Sequence, residues 1–216
     1  MVKINKAAVV AVLATGVLAV PAQANAQTLS TASASLGAAD LVVGGVPAQA
    51  EPIAECDVAG PTEANTRGVD IGSKTEFGRG ASTCERGDDG VSTARADGQR
   101  FETDLLKQFG GPTIRVRSFS AECSTTENGS SGYVELGGVS GFTLPESIPP
   151  NHSILVPGND AGDPPLAEIV LNELTAPTPP DGSLTTNALH LKLFPEGGPA
   201  SGDLYVGTAS CDPYGG

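Results

Sequence analysis

Tryptophan is missing from the 216-residue sequence, and the aromatics amount to six Phe and three Tyr. So sparse a set argues against an aromatic platform for stacking sugars, although Tyr133, Tyr205 and Tyr214 could serve singly, and it leaves Val, Leu, Ile and Ala to build a thin core. Basic side chains are scarce as well: 12 Lys and Arg stand against 25 Asp and Glu, a net charge of −13. With no basic patch to neutralise phosphates, nucleic acid is excluded as a partner, and the acidic balance speaks for solubility and nothing more specific. The apolar run Ala7 to Val20 falls short of the ~20 residues that span a bilayer.

Catalytic signatures are equally thin. The segment GGVSG at 137–141 places Ser fourth, not at the centre of a G-x-S-x-G elbow. Only His152 and His190 are available to a Ser-His-acid arrangement. His152 follows Pro149-Pro150-Asn151 in a loop, and His190 falls on the wet face of a strand beside Lys192, so both read as surface side chains. Glu168 and Glu173 are the acid pair that faintly favours an enzyme. No C-x-x-C pair and no Cys/His ligand spacing occurs, which speaks against zinc.

What the chain has in abundance is 28 Gly and 17 Pro, the composition of short strands and many turns. The clearest pattern lies in 166–211. Leu189, Leu191 and Leu193 recur at every second position, so an extended chain points them to a core face and points His190 and Lys192 to the other. Pro177, Pro179, Pro180 and Gly182 precede this strand, and Pro195, Gly197, Gly198, Pro199 and Gly202 follow it. Neither cluster continues a ladder, and a three-strand meander is the economical reading.

At the start, Lys3 and Lys6 precede the apolar run, and Pro21 and the small-residue stretch AQANA follow it. These are the three regions of a secretory signal peptide, expected over 1–26 with cleavage after Ala24 or Ala26. Its removal takes away two Lys and no acid, making the remainder more acidic still. Four cysteines, Cys56, Cys84, Cys123 and Cys211, then imply two disulfides in an exported chain. Of the three connectivities we favour Cys56–Cys84 and Cys123–Cys211, the first holding a Gly-rich stretch and the second tying the ends of two strands.

Between these landmarks, 51–90 reads as loops and edge strands. Phe101, Leu105 and Phe109, four apart, suit a short helix ended by Gly110 and Gly111, with a strand and tight turn as the alternative. The ends RVRSFSAECSTT and LYVGTASCDP resemble one another, hinting at a two-fold repeat with halves 27–127 and 128–216 inside one all-β domain, 27–216. The fold class expected is an all-β, disulfide-bonded antiparallel sandwich. One metal hypothesis arises: Asn159, Asp160 and Asp163 in PGNDAGDPP, and Asp88 with Asp89 in RGDDG, are oxygen ligands of the kind calcium uses, although solvated turn acids are the plainer reading. No other cofactor is expected.

The runs EIVLNEL, LTTNALHLKLF and GDLYVGTASC, with LLKQFGG and IRVRSFSAEC upstream, resemble the closing blocks of the choice-of-anchor P family of secreted and surface proteins from Gram-positive bacteria. The resemblance implies a β-rich extracytoplasmic domain of unassigned activity. It departs from the family in its end, DPYGG, which shows neither an apolar tail nor a sorting signal. The functional expectation is a secreted or surface-associated, noncatalytic interaction protein whose partner is an envelope polymer or surface protein, with no transmembrane anchor once the leader is gone. The rivals are a secreted hydrolase acting on a cell-wall polymer and a structural surface component.

Overall fold

A computed structural model describes residues 29–215; the expected leader lies outside them. Alternation and turn chemistry produce fourteen strands in these residues. The first seven are β1 (Thr31–Val43), β2 (Val46–Ala50), β3 (Cys56–Asp57), β4 (Glu63–Thr66), β5 (Val69–Ile71), β6 (Thr75–Phe77) and β7 (Gly80–Arg86). The others are β8 (Ser92–Thr103), β9 (Ile114–Thr126), β10 (Gly129–Ser140), β11 (His152–Val156), β12 (Ala167–Thr175), β13 (Leu184–Leu193) and β14 (Ala200–Asp212). A short 3-10 helix, Leu105–Phe109, follows β8 and closes on Gly110 at φ 83°. Phe101 itself stays in β8, so the expected helix is shortened to its second half.

Two antiparallel sheets pack face to face, as the sequence reading anticipated. Sheet A runs β11-β12-β13-β14-β1-β2, with β3 also on β1. Sheet B runs β10-β9-β8-β6-β5, with β7 bridging β8 and β4. The C-terminal meander β12-β13-β14 is continuous, and β1 closes on it through Thr31↔Asp212 to Val43↔Ala200. The stretches 27–127 and 128–216 each contribute strands to both sheets. Leu36, Leu41, Leu171, Leu189, Leu191 and Leu204 of sheet A meet Phe77, Phe101, Ile114 and Val116 of sheet B in the core.

Both disulfides join one sheet to the other. Cys56 of β3 bonds Cys84 of β7, and Cys123 of β9 bonds Cys211 of β14, each with Cα atoms 5.7 Å apart. The favoured pairing is therefore the pairing formed. The first bridge anchors the short strands of 51–90, which bury little apolar surface of their own.

Neither sheet alternates uniformly from end to end. In β14, Leu204 and Val206 face the core, and so do Ala209 and Cys211, an odd step that reverses the alternation at Gly207, φ 63°. In β12 the reversal falls at Asn172, φ 50°. Asn172, Ala188, Gly207 and Leu36 form one row across β12, β13, β14 and β1 where the paired register is interrupted. Sheet B has the same crease: Arg100, φ 60°, Arg117 and Gly138, φ 63°, fill the interrupted row of β8, β9 and β10. A left-handed residue turns the following side chain to the face its predecessor occupied, and Gly and Asn reach that conformation at least cost.

Candidate functional site

The crease decides which side chains meet on the outer face of sheet A. Counting back from Leu189 by twos sends Asn187 to the core, and counting forward from Val170 sends Glu173 to the face opposite Val170. The reversal instead brings both outward. Four rows result, read across β12, β13, β14 and β1: Thr175, Thr185, Ser210, Ser33; then Glu173, Asn187, Thr208, Ser35; then Val170, His190, Tyr205, Ala38; then Glu168, Lys192, Asp203, Asp40.

His190 corrects the sequence reading. It lies on the predicted face, yet only 5% of it is exposed. Its ring stacks on Tyr205 at 4.2 Å between centroids, and carboxylates close both edges. Glu173 lies 2.9 and 3.0 Å from Nδ1 through its two oxygens, and Asp203 Oδ1 lies 2.7 Å from Nε2. The outer face is dry here because a left-handed Asn172 swings Glu173 under the ring while Asp203 approaches from the next strand. Asn187 Nδ2 donates to Glu173 Oε2 at 2.8 Å, and the Thr208 hydroxyl donates to Asn187 Oδ1 at 2.7 Å. Burial alone would raise the Glu173 pKa, but hydrogen bonds from His190 and Asn187 outweigh it and hold the carboxyl below the usual glutamate range. Tyr205 is pushed up, first by burial and then by the nearby Asp203 and Glu173 charges.

Above this network a trough of about 430 Å³ opens on the sheet, lined by the first two rows and by His190, Tyr205 and Ala38 of the third. Its far wall is Pro52 and Glu55, in a segment tied to β1 by Leu36 N–H to Ile53 O and Ile53 N–H to Gly37 O, both 2.9 Å. A second depression of about 370 Å³ shares Ser33, Thr175, Thr185 and Ser210 with it and continues to Pro177 and Ser183. Thr185 and Ser210 hydroxyls bond each other at 2.8 Å. A depression on sheet B, about 520 Å³, is larger but is walled by Arg67, Arg79, Asp97 and Glu135, charges of both signs, with Ser120 as the lone buried polar side chain among them. Buried polar groups brought together at cost distinguish the trough on sheet A, and we take it as the candidate site.

With a carboxylate at each ring nitrogen, His190 has no nitrogen left to take a proton from a serine, so no Ser-His-acid relay forms around it. Glu168 and Glu173 enter separate networks: Glu168 accepts from Ser153 at 2.7 Å and faces Lys192 at 3.5 Å. The five proposed calcium ligands sit in two loops on different sheets. Asp88 and Asp89 occupy the β7–β8 turn, where Asp89 Oδ1 accepts from Val91 N–H at 3.1 Å. Asn159, Asp160 and Asp163 occupy the β11–β12 loop, where Asn159 Nδ2 donates to Phe109 O at 2.9 Å and Asp163 Oδ2 accepts from Asp160 N–H at 3.0 Å. Among the described residues, no three of His, Cys, Asp and Glu converge as a metal site, and no helix is long and apolar enough to cross a membrane.

Sequence reasoning missed Glu173 with His190, Asn187, Asp203, Tyr205, Ser35 and Thr208 as one group. The signal available was an Asn and a Gly at mid-strand, in VLNEL and YVGTA, where a β-sheet ordinarily carries neither. Fold and site together define a disulfide-stapled β-sandwich with a polar trough on the outer face of one sheet. No family model, no curated protein and no solved structure matches the chain.

Proposed function

We propose that this is an exported, noncatalytic interaction protein of the cell exterior, which holds an extended partner on the envelope in the trough of sheet A. The observation that carries the reading is the trough itself: a polar floor ordered by a buried imidazole held between two carboxylates, Glu173 and the half-exposed Asp203, with no nucleophile and base in contact among the described residues that line it. The leader-like N-terminus, two disulfides and the likeness of the C-terminal blocks to choice-of-anchor P proteins support export and a place at the surface. Disulfides persist where the surroundings are oxidising.

Co-sedimentation with isolated envelopes of the producing cells tests this directly. The wild-type protein is expected to pellet with envelopes and to remain soluble without them, while Ser33→Arg, which thrusts a long charged side chain into the trough, stays in the supernatant. Protein that never pellets, or pellets equally with Ser33→Arg, overturns the reading. Detection of the chain only in the cytoplasmic fraction overturns the export half of it.

A further inference from the structure

We infer that the trough takes a neutral polyhydroxylated chain, a glycan without acidic or basic groups, laid along the strands of sheet A; this rests on the interaction reading above. The lining chemistry selects the class. Ser33, Ser35 and Thr175 present hydroxyls able both to donate and to accept, while Thr208, whose proton goes to Asn187, and the mutually bonded Thr185 and Ser210 keep further bonding capacity, which matches a ligand whose own groups both donate and accept. Ser35 is the sharpest pointer. It is only 6% exposed, it lines the trough, and its hydroxyl forms no hydrogen bond with any described residue. Its oxygen stays open to solvent within the trough and is therefore free to bond a ligand atom.

Other ligand classes fit less well. No Lys or Arg lines the trough, and both nitrogens of His190 are committed to carboxylates, so an anion finds no counter-charge. A cation finds Glu173 already engaged through both oxygens by His190 and Asn187, which leaves Glu55 as the remaining carboxylate of the lining, short of the several oxygens a cation gathers. An apolar ligand would strip water from the open hydroxyls of Ser33, Ser35 and Thr175 and return nothing, and one face of Tyr205 is covered by His190. A peptide pairs its main chain with a strand edge, whereas this site is a sheet face that offers side chains alone.

The geometry suits a chain more than a single small molecule. The two depressions share four residues, and the run from Tyr205 to Asp212 covers roughly 23 Å at the strand rise. Hydroxyl rows lie about 4.8 Å apart across strands and about 6.6 Å apart along them, a grid that repeats under successive units of a polymer. The lack of an aromatic platform implies binding by hydrogen bonds, and hence modest affinity for any single unit.

Native gels cast with single polysaccharides provide the test, using the oxidised protein. Dextran, a β-glucan, galactomannan and arabinogalactan serve as neutral probes, polygalacturonate as the anionic one, and a soluble Gly/Ser polypeptide as the peptide one. At least one neutral polysaccharide is expected to retard the protein while polygalacturonate and the polypeptide do not. Ser35→Ala should weaken retardation about three- to tenfold, and Ser33→Arg should abolish it, with both variants keeping their disulfides and a cooperative melt. Retardation by none of the neutral probes, by polygalacturonate or the polypeptide instead, or to the same extent in both variants, overturns the inference. If envelopes still pellet the wild type and not Ser33→Arg while every neutral glycan fails, the ligand class alone falls; failure of both measurements removes the interaction reading too.

Discussion

The two sheets carry the same backbone device and use it differently. Each is creased by left-handed residues on alternate strands, Asn172 and Gly207 in sheet A, Arg100 and Gly138 in sheet B. In sheet A the crease gathers the largely buried Glu173 and His190 under a trough, with the half-exposed Asp203 closing the ring's other edge. In sheet B the outer face carries Arg95 bridged to Asp97 at 2.7 Å and to Glu122 at 2.8 Å, with Arg100 paired to Glu76, all partly or largely in water. A crease sets which residues meet; their burial sets what the meeting is worth. Ion pairs in solvent contribute little, whereas a buried charge deprived of its partner is costly.

The widest gap between the sheets should appear on truncation. Glu173→Ala leaves His190 and Asn187 without their acceptor in a dry site and is expected to destabilise by about 3–5 kcal/mol, read from urea unfolding. A loss no larger than that of a surface variant would erase the contrast drawn here.

Next come the staples between the sheets. Replacing Cys123 and Cys211 together by Ala should cost about 2–4 kcal/mol. Replacing Cys56 and Cys84 should cost about 1 kcal/mol less, because the loops closed span 88 and 28 residues in sequence. Paired thermal melts of the two double variants give the ranking; the reverse order would mean that the short strands of 51–90 depend on their bridge for native structure, beyond chain entropy.

The acid limb of stability sharpens the comparison further. Glu173 has a folded pKa below its ordinary 4.5, so its contribution is complete above that value and is lost as pH falls through the lowered one. Asp97 is lowered from 3.8 too, chiefly by its hydrogen bond from Arg95, but in a solvent-screened setting. Glu173→Gln should therefore flatten the fall in stability below about pH 4.5 more than Asp97→Asn does. Equal slopes in the two variants would place the acid sensitivity elsewhere.

Smallest of all is the surface control. Arg95→Ala removes two exposed ion pairs and should cost ~1 kcal/mol or less, diminishing further in salt. A loss rivalling that of Glu173→Ala would show that the outer face of sheet B is organised as tightly as that of sheet A.

The sequence by itself determined the all-β class and the C-terminal meander, and among three connectivities it favoured the cysteine pairing that the structure forms. The class and the meander rest on local rules: side chains alternate along a strand, and Pro and Gly interrupt ladders. Strict alternation also put Leu189, Leu191 and Leu193 in the core, where they are. The same rule failed two residues earlier at Asn187, because alternation holds only until a left-handed residue reverses it, and Asn172 and Gly207 lie on the strands either side. Tertiary structure alone decided that His190 is dry. Its cover comes from Glu173, Asp203 and Tyr205 on β12 and β14. Burial is a property of neighbours, and a strand's own pattern does not name the neighbours on its outer face.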